Sequence, residues 1–242
     1  AQKCGQILPA EGDYGVAMLF FPQDDKGVED ARRVFEEGCA EAGVPLLFWR
    51  EVPVDPHDLG ETARACMPTI LQAFLGRPDD TPAGDAFERR LYVCRRTIEK
   101  KADAEFALRD KIFYVCSMSS RTIVYKGMLV ATQMRRFFID LNDAAVKTAV
   151  ALVHSRYSTN TTPSWERAHP NRFIIHNGEI NTLKGNVNWI RAREPNLYSP
   201  VLQHDLERVM PIINREGSDS AILDNVLEFL VMNGRPLTRA AS

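Results

Sequence analysis

The chain has 242 residues, 45% of them hydrophobic, which is enough to bury a full core and lies between one elaborate domain and two small ones. Its 30 basic and 32 acidic side chains leave a net charge of -2 and form no basic stripe, which argues against a nucleic-acid partner. No apolar run reaches the roughly 18 residues that a membrane span needs, and five irregularly spaced cysteines without a Cys-x-x-Cys pair argue against a zinc or iron–sulfur seat and for a reducing, cytoplasmic setting.

Residues 14–22 read as a buried strand, because Val16, Met18, Leu19, Phe20 and Phe21 lie between Gly12 and a Pro-Gln-Asp-Asp turn. Residues 27–43 read as a helix: Val28, Ala31, Val34, Phe35 and Cys39 fall at helical spacing, and Gly43-Val44-Pro45 stops the run. A strand over 46–54 completes a β-α-β rhythm, which implies a layered α/β domain. Residues 77–84 are a loop by composition. The run 87–101 is expected to be a strand over 90–94 followed by a helix, with Arg95-Arg96 and Lys100-Lys101 on a solvated face. Residues 111–127 predict a hairpin, since the β-branched and aromatic runs 112–115 and 122–125 flank the polar segment 117–121. A helical stretch over 127–138 is expected next, then strands over 149–154 and 173–176. A final helix follows Arg215-Glu216-Gly217-Ser218-Asp219-Ser220, with Ile222, Val226 and Leu230 recurring every four residues.

The last two strands bracket the segments that carry chemistry. After the first comes His154-Ser155-Arg156-Tyr157-Ser158-Thr159-Asn160, in which the planar guanidinium of Arg156 suits a bidentate carboxylate contact. After the second comes His176-Asn177-Gly178-Glu179, where a side-chain amide stands beside a glycine N–H that a reacting carbonyl can approach closely. Asp219, in the third segment, offers a carboxylate for an ammonium group. Together they suggest a pocket for a zwitterionic ligand. Each has a plainer alternative: a surface ion pair for Arg156, a type I′ turn for Asn177-Gly178, a dipole-favoured helix-start acid for Asp219. His154, His169 and His176 lack metal-ligand spacing and read as packing or hydrogen-bonding residues.

The run HSRYSTNTTPSWERAHPNRFIIHNGEINTLKGNVNWIRARE resembles the glutaminase domains of the glutamate synthases, a family of class II glutamine amidotransferases with the N-terminal-nucleophile hydrolase fold. GDYGVAMLFFP, LGETARACMPTILQAF, FERRLYVCRRTIEKK and FYVCSMSSRTIVYKGML resemble the same family in the same order, so the likeness covers nearly the whole chain. It implies a four-layer αββα sandwich with mostly antiparallel sheets. It also implies that residues 1–242 are one partial amidotransferase type 2 domain, continued at both ends. On this likeness Arg156 holds the α-carboxylate of L-glutamine, Asn177 and Gly178 form the oxyanion hole, and Asp219 receives the α-amino group. Tyr157, Thr159 and Asn160 line or shape the same pocket.

Such domains begin with a cysteine whose thiolate attacks the glutamine amide while its own α-amino group acts as base. Cys4-Gly5 is followed by Gln6-Ile7-Leu8-Pro9 and Gly12-Asp13-Tyr14, which resemble the family's interior, so the chain is expected to lack that cysteine and to be inactive alone. The resemblance further implies a synthase domain in the same polypeptide, flavin mononucleotide and an iron–sulfur cluster outside this segment, and a small flavoprotein subunit as partner. A non-catalytic glutamine-binding or structural segment, and another class II amidotransferase, remain the alternatives.

Overall fold

Strand β1, Tyr14–Phe21, is the spine of the first unit, and its last five residues are buried on both faces. A computed structural model describes residues 5–106, 112–155, 157, 162–177, 180–214 and 217–241. The chain falls into two compact units, Ala1–Pro53 with Met67–Tyr125 and Val54–Cys66 with Lys126–Ser242.

In the first unit β1 runs between strands β3, Thr69–Gly76, and β4, Tyr114–Ser119, while β2, Leu46–Glu51, adds outside β3. The order is β2-β3-β1-β4, with every neighbouring pair antiparallel. Helices α1, Asp25–Glu41, and α3, Asp85–Phe106, pack with Ala17, Leu19 and Phe21 of β1, with Leu71, Ala73 and Leu75 of β3 and with one another. Asp24 starts α1 by accepting the Gly27 N–H at 2.8 Å. Full burial of Phe35 contributes about 2–3 kcal/mol. Gly38 leaves room for Ile98 at the helix crossing, where any Cβ would collide with that side chain.

Three expectations fail here. Residues 90–94 are helix, not strand, because Phe87, Leu91, Cys94, Ile98 and Ala102 align at three- and four-residue intervals along one buried face. Arg95 and Arg96 are not a solvated pair: they are 1% and 9% exposed and both donate to Glu99, at 2.7 and 2.6 Å. No hairpin forms over 112–125 among the described residues, because β4 pairs with β1 and the following residues satisfy their backbone locally. Ser117 Oγ accepts the Val124 N–H, Ser119 Oγ accepts those of Arg121 and Thr122, and Glu88 accepts that of Ser120. The central strand β3 carries no polar alternation to mark it, since seven of its eight residues are buried.

The regular structure of the second unit's described residues is helical, apart from an isolated β-bridge between Val54 and Phe138. Its elements are α2, Glu61–Ala65; α4, Met134–Phe137, between two 3-10 turns; α5, Leu183–Arg193; α6, Leu206–Val209; α7, Asp219–Met232; and α8, Leu237–Ala240. Trp165, fully buried, centres its core: the indole N–H donates to Ala63 O at 3.0 Å and the ring meets Phe137 at 5.5 Å between centroids. Lys126, 5% exposed, donates its ammonium to the carbonyls of Glu166 and His169.

The expected strands over 149–154 and 173–176 do not form among the described residues. Val150, Leu152 and Val153 are 71%, 70% and 84% exposed, without a ladder partner there. The backbone N–H groups of Arg172, Phe173 and Ile174 go instead to the carboxylate of Asp224. Helix α7 forms as expected, but Ile222, Val226 and Leu230 are only half-buried; the buried positions are Asp224, Asn225, Leu227, Glu228 and Phe229.

Candidate functional site

Asp219 occupies the first turn of α7, where the N-cap Ser218 accepts the Ala221 N–H at 3.3 Å through its hydroxyl. One carboxylate oxygen of Asp219 accepts the Ser220 N–H at 2.7 Å, which orients the side chain, and the helix dipole favours its charge. Asp219 lines a cavity of about 450 Å³ between α5 and α7, together with Asn186, Arg193 and the apolar side chains of Leu183, Ile190 and Ile222. That volume accommodates a free amino acid and falls in the ordinary range for small-molecule pockets.

Tyr157 and Asn177 do not line this cavity. Tyr157 is half-buried, and its hydroxyl donates toward Gly127 O at 3.5 Å. Burial, and after it the neighbouring Cys66, pushes the phenol up from its ordinary value, so it stays a protonated donor at neutral pH. Asn177 is exposed. The expected roles of Arg156, Thr159, Asn160 and Gly178, like that of Cys4, fall on positions outside the described residues.

Sequence reading missed two anchors on α7. Asp224 is 0% exposed; Oδ2 accepts the Arg172 N–H at 2.9 Å, and Oδ1 accepts those of Phe173 and Ile174 at 2.9 and 3.1 Å. Asn225 Oδ1 accepts the Asn214 N–H at 3.0 Å, next to the segment leading into Ser218. The only signal in the sequence was the adjacency of Asp224 and Asn225 on an otherwise apolar helix, and polar pairs of that kind usually face water.

The rings of His154 and His169 lie 4.1 Å apart between centroids, tilted at 45° to each other. Burial first, then His154, Lys126 and His176, pushes His169 down to about 4, so its imidazole is neutral near pH 7. No group of three or more His, Cys, Asp and Glu side chains among the described residues is disposed to hold a metal ion. Of the described cysteines, Cys39 and Cys94 face each other in the first core at 3.8 Å. The contact with Cys94, and then burial, raises the Cys39 thiol above its ordinary value, which favours the protonated form.

The family model for class II glutamine amidotransferases matches residues 1–242, and the chain belongs to that family. Within the class it is similar to the large chain of the NADPH glutamate synthase of Bacillus subtilis, 46% identical over 235 residues that make up 97% of this chain and 15% of the relative. It is also similar to the NADH glutamate synthase of Saccharomyces cerevisiae, 43% identical over 231 residues, covering 94% of this chain and 11% of the relative. The ferredoxin-dependent chloroplastic glutamate synthase of Spinacia oleracea is 42% identical over 223 residues, covering 91% and 13%. The chain thus spans no more than 15% of the length of these relatives. No described helix is long and apolar enough to cross a membrane.

Proposed function

We propose that this chain is the glutamine-binding part of a glutaminase domain that hydrolyses L-glutamine to L-glutamate and ammonia, within a glutamate synthase polypeptide. The observation that carries this reading is the family match over the whole chain, joined by glutamate synthases of three electron-donor types at 42–46% identity. The guanidinium of Arg156 takes the α-carboxylate of glutamine in a bidentate contact, and Asp219 takes the α-ammonium. Asn177 and the Gly178 N–H meet the amide oxygen as it becomes an oxyanion, which is where stabilisation of the transition state counts most. Tyr157 and Thr159 shape the pocket around the side chain.

In the reaction, a cysteine thiolate attacks the amide carbon, the tetrahedral intermediate expels ammonia after the nitrogen is protonated, and water hydrolyses the resulting thioester to glutamate. Cys4 is not that nucleophile in this reading, because its sequence context matches the family's interior. The residues in hand bind and polarise the substrate but do not attack it, so they do not turn glutamine over alone. In the complete domain they belong to a four-layer αββα sandwich. The ammonia passes to a synthase domain of the same polypeptide, which aminates 2-oxoglutarate in the cytoplasm with electrons delivered through a small flavoprotein subunit or another donor. Flavin mononucleotide and the iron–sulfur cluster belong to that synthase domain.

Incubating the complete polypeptide with L-glutamine and following glutamate release tests the reading. Glutamate and ammonia formation that requires the polypeptide, with no aspartate or ammonia released from L-asparagine, supports it. Failure to hydrolyse glutamine, with or without 2-oxoglutarate, contradicts it.

A further inference from the structure

We propose that Asp224 is a positioning residue that sets the spacing between the two poles of the glutamine site. This rests on the reading of Asp219 as the ammonium acceptor and of Asn177-Gly178 as the oxyanion pair.

The geometry is a carboxylate in a nest of three consecutive backbone donors. Asp224 is completely buried, and its two oxygens take the N–H groups of Arg172, Phe173 and Ile174 at 2.9 to 3.1 Å. An ionised carboxylate in such surroundings makes hydrogen bonds stronger than neutral ones. These bonds replace the strand ladder that the segment lacks, so the path of the backbone into His176 and Asn177 is set by a side chain of α7. Asp219 lies five residues earlier on the same helix, about 7.5 Å along the axis at 1.5 Å per residue. A single rigid helix therefore carries the acid for the substrate amine at its start and grips, one and a half turns later, the chain that leads to the oxyanion donors. Asn225, the next residue, accepts the Asn214 N–H at 3.0 Å, so α7 anchors a second backbone segment beside the first.

This arrangement explains why a buried acid sits on α7 where an apolar residue would pack more cheaply. It does not touch the substrate. It acts through the backbone of 172–174, and a shift of that backbone displaces the donors that matter in the transition state more than in the ground state.

The test uses the complete polypeptide with Asp224→Asn and Asp224→Glu. The amide keeps the shape but turns one acceptor into a donor facing an N–H group. Glutaminase kcat per folded protein is expected to fall about 30-fold or more in Asp224→Asn, with KM for glutamine changed less than about threefold, by analogy with the loss of an oxyanion donor. Asp224→Glu, which retains the charge, is expected to recover part of kcat. Amide exchange at 172–174 should accelerate in Asp224→Asn while α1 and α3 keep their protection. An Asp224→Asn polypeptide with kcat within twofold of the parent overturns the proposal while leaving the glutaminase reading intact. A parent that hydrolyses no glutamine overturns that reading and this one together. If Asp224→Asn does not fold, exchange in the parent decides: amides 173 and 174 slower than 175–177 by about tenfold support the anchor, and equal rates overturn it.

Discussion

Gly127 and Trp165 approach so closely that a Cβ on residue 127 would lie 2.5 Å from the indole ring. The ring cannot yield, because it is fully buried, packed on Phe137 and tied to Ala63 O by its N–H. Gly127→Ala should therefore destabilise the second unit by about 1–3 kcal/mol, the usual cost of overpacking a filled core. Urea unfolding followed by tryptophan fluorescence reads this as a lower midpoint; an unchanged midpoint would mean that the contact relaxes freely.

Glu99 is the shared acceptor of two guanidinium groups in the first unit, from Arg95 and Arg96. Removing it takes that carboxylate from two largely buried cations. Glu99→Ala should cost about 2–4 kcal/mol, more than an exposed ion pair ever contributes. Calorimetric melting of Glu99→Ala beside Glu37→Ala, whose partner Arg33 is exposed, separates the buried case from the surface case.

His169 makes the second unit sensitive to acid. Its folded value of about 4 lies below the roughly 6.5 of an unfolded histidine. Between those two values the unfolded chain binds a proton that the folded chain refuses, so stability is complete above about pH 6.5 and falls as pH drops toward 4. His169→Gln should flatten this part of the stability profile. Denaturation midpoints of both proteins at pH 7.5, 6 and 4.5 check it; parallel profiles would show that His169 is not the titrating group.

How far the sequence could be read follows from where the chain satisfies its backbone. Strand β1 and helix α1 were legible because apolar periodicity, the Pro-Gln-Asp-Asp turn between them and a terminating Gly-Val-Pro all agree. Residues 90–94 misled because Leu91-Tyr92-Val93-Cys94 has strand composition while its neighbours at 87, 98 and 102 supply the helical face. The hairpin and the strand over 173–176 failed for one reason: side-chain acceptors, Ser117 and Ser119 in one place and Asp224 in the other, took the backbone donors that a ladder would need. The helix-start position of Asp219 was legible from the amphipathic run that follows it. Asp224 was not, since nothing in a single sequence distinguishes a buried acid from a solvated one.

The role proposed for Arg156 is to hold the α-carboxylate of glutamine. Steady-state glutaminase kinetics of the complete polypeptide carrying Arg156→Ala test it most directly. Losing one partner of a charge-assisted pair with the substrate should raise KM for L-glutamine by about 30- to 100-fold, with Arg156→Lys recovering only part because an ammonium lacks the planar fork. A KM within twofold of the parent in Arg156→Ala would show that Arg156 does not hold the substrate carboxylate.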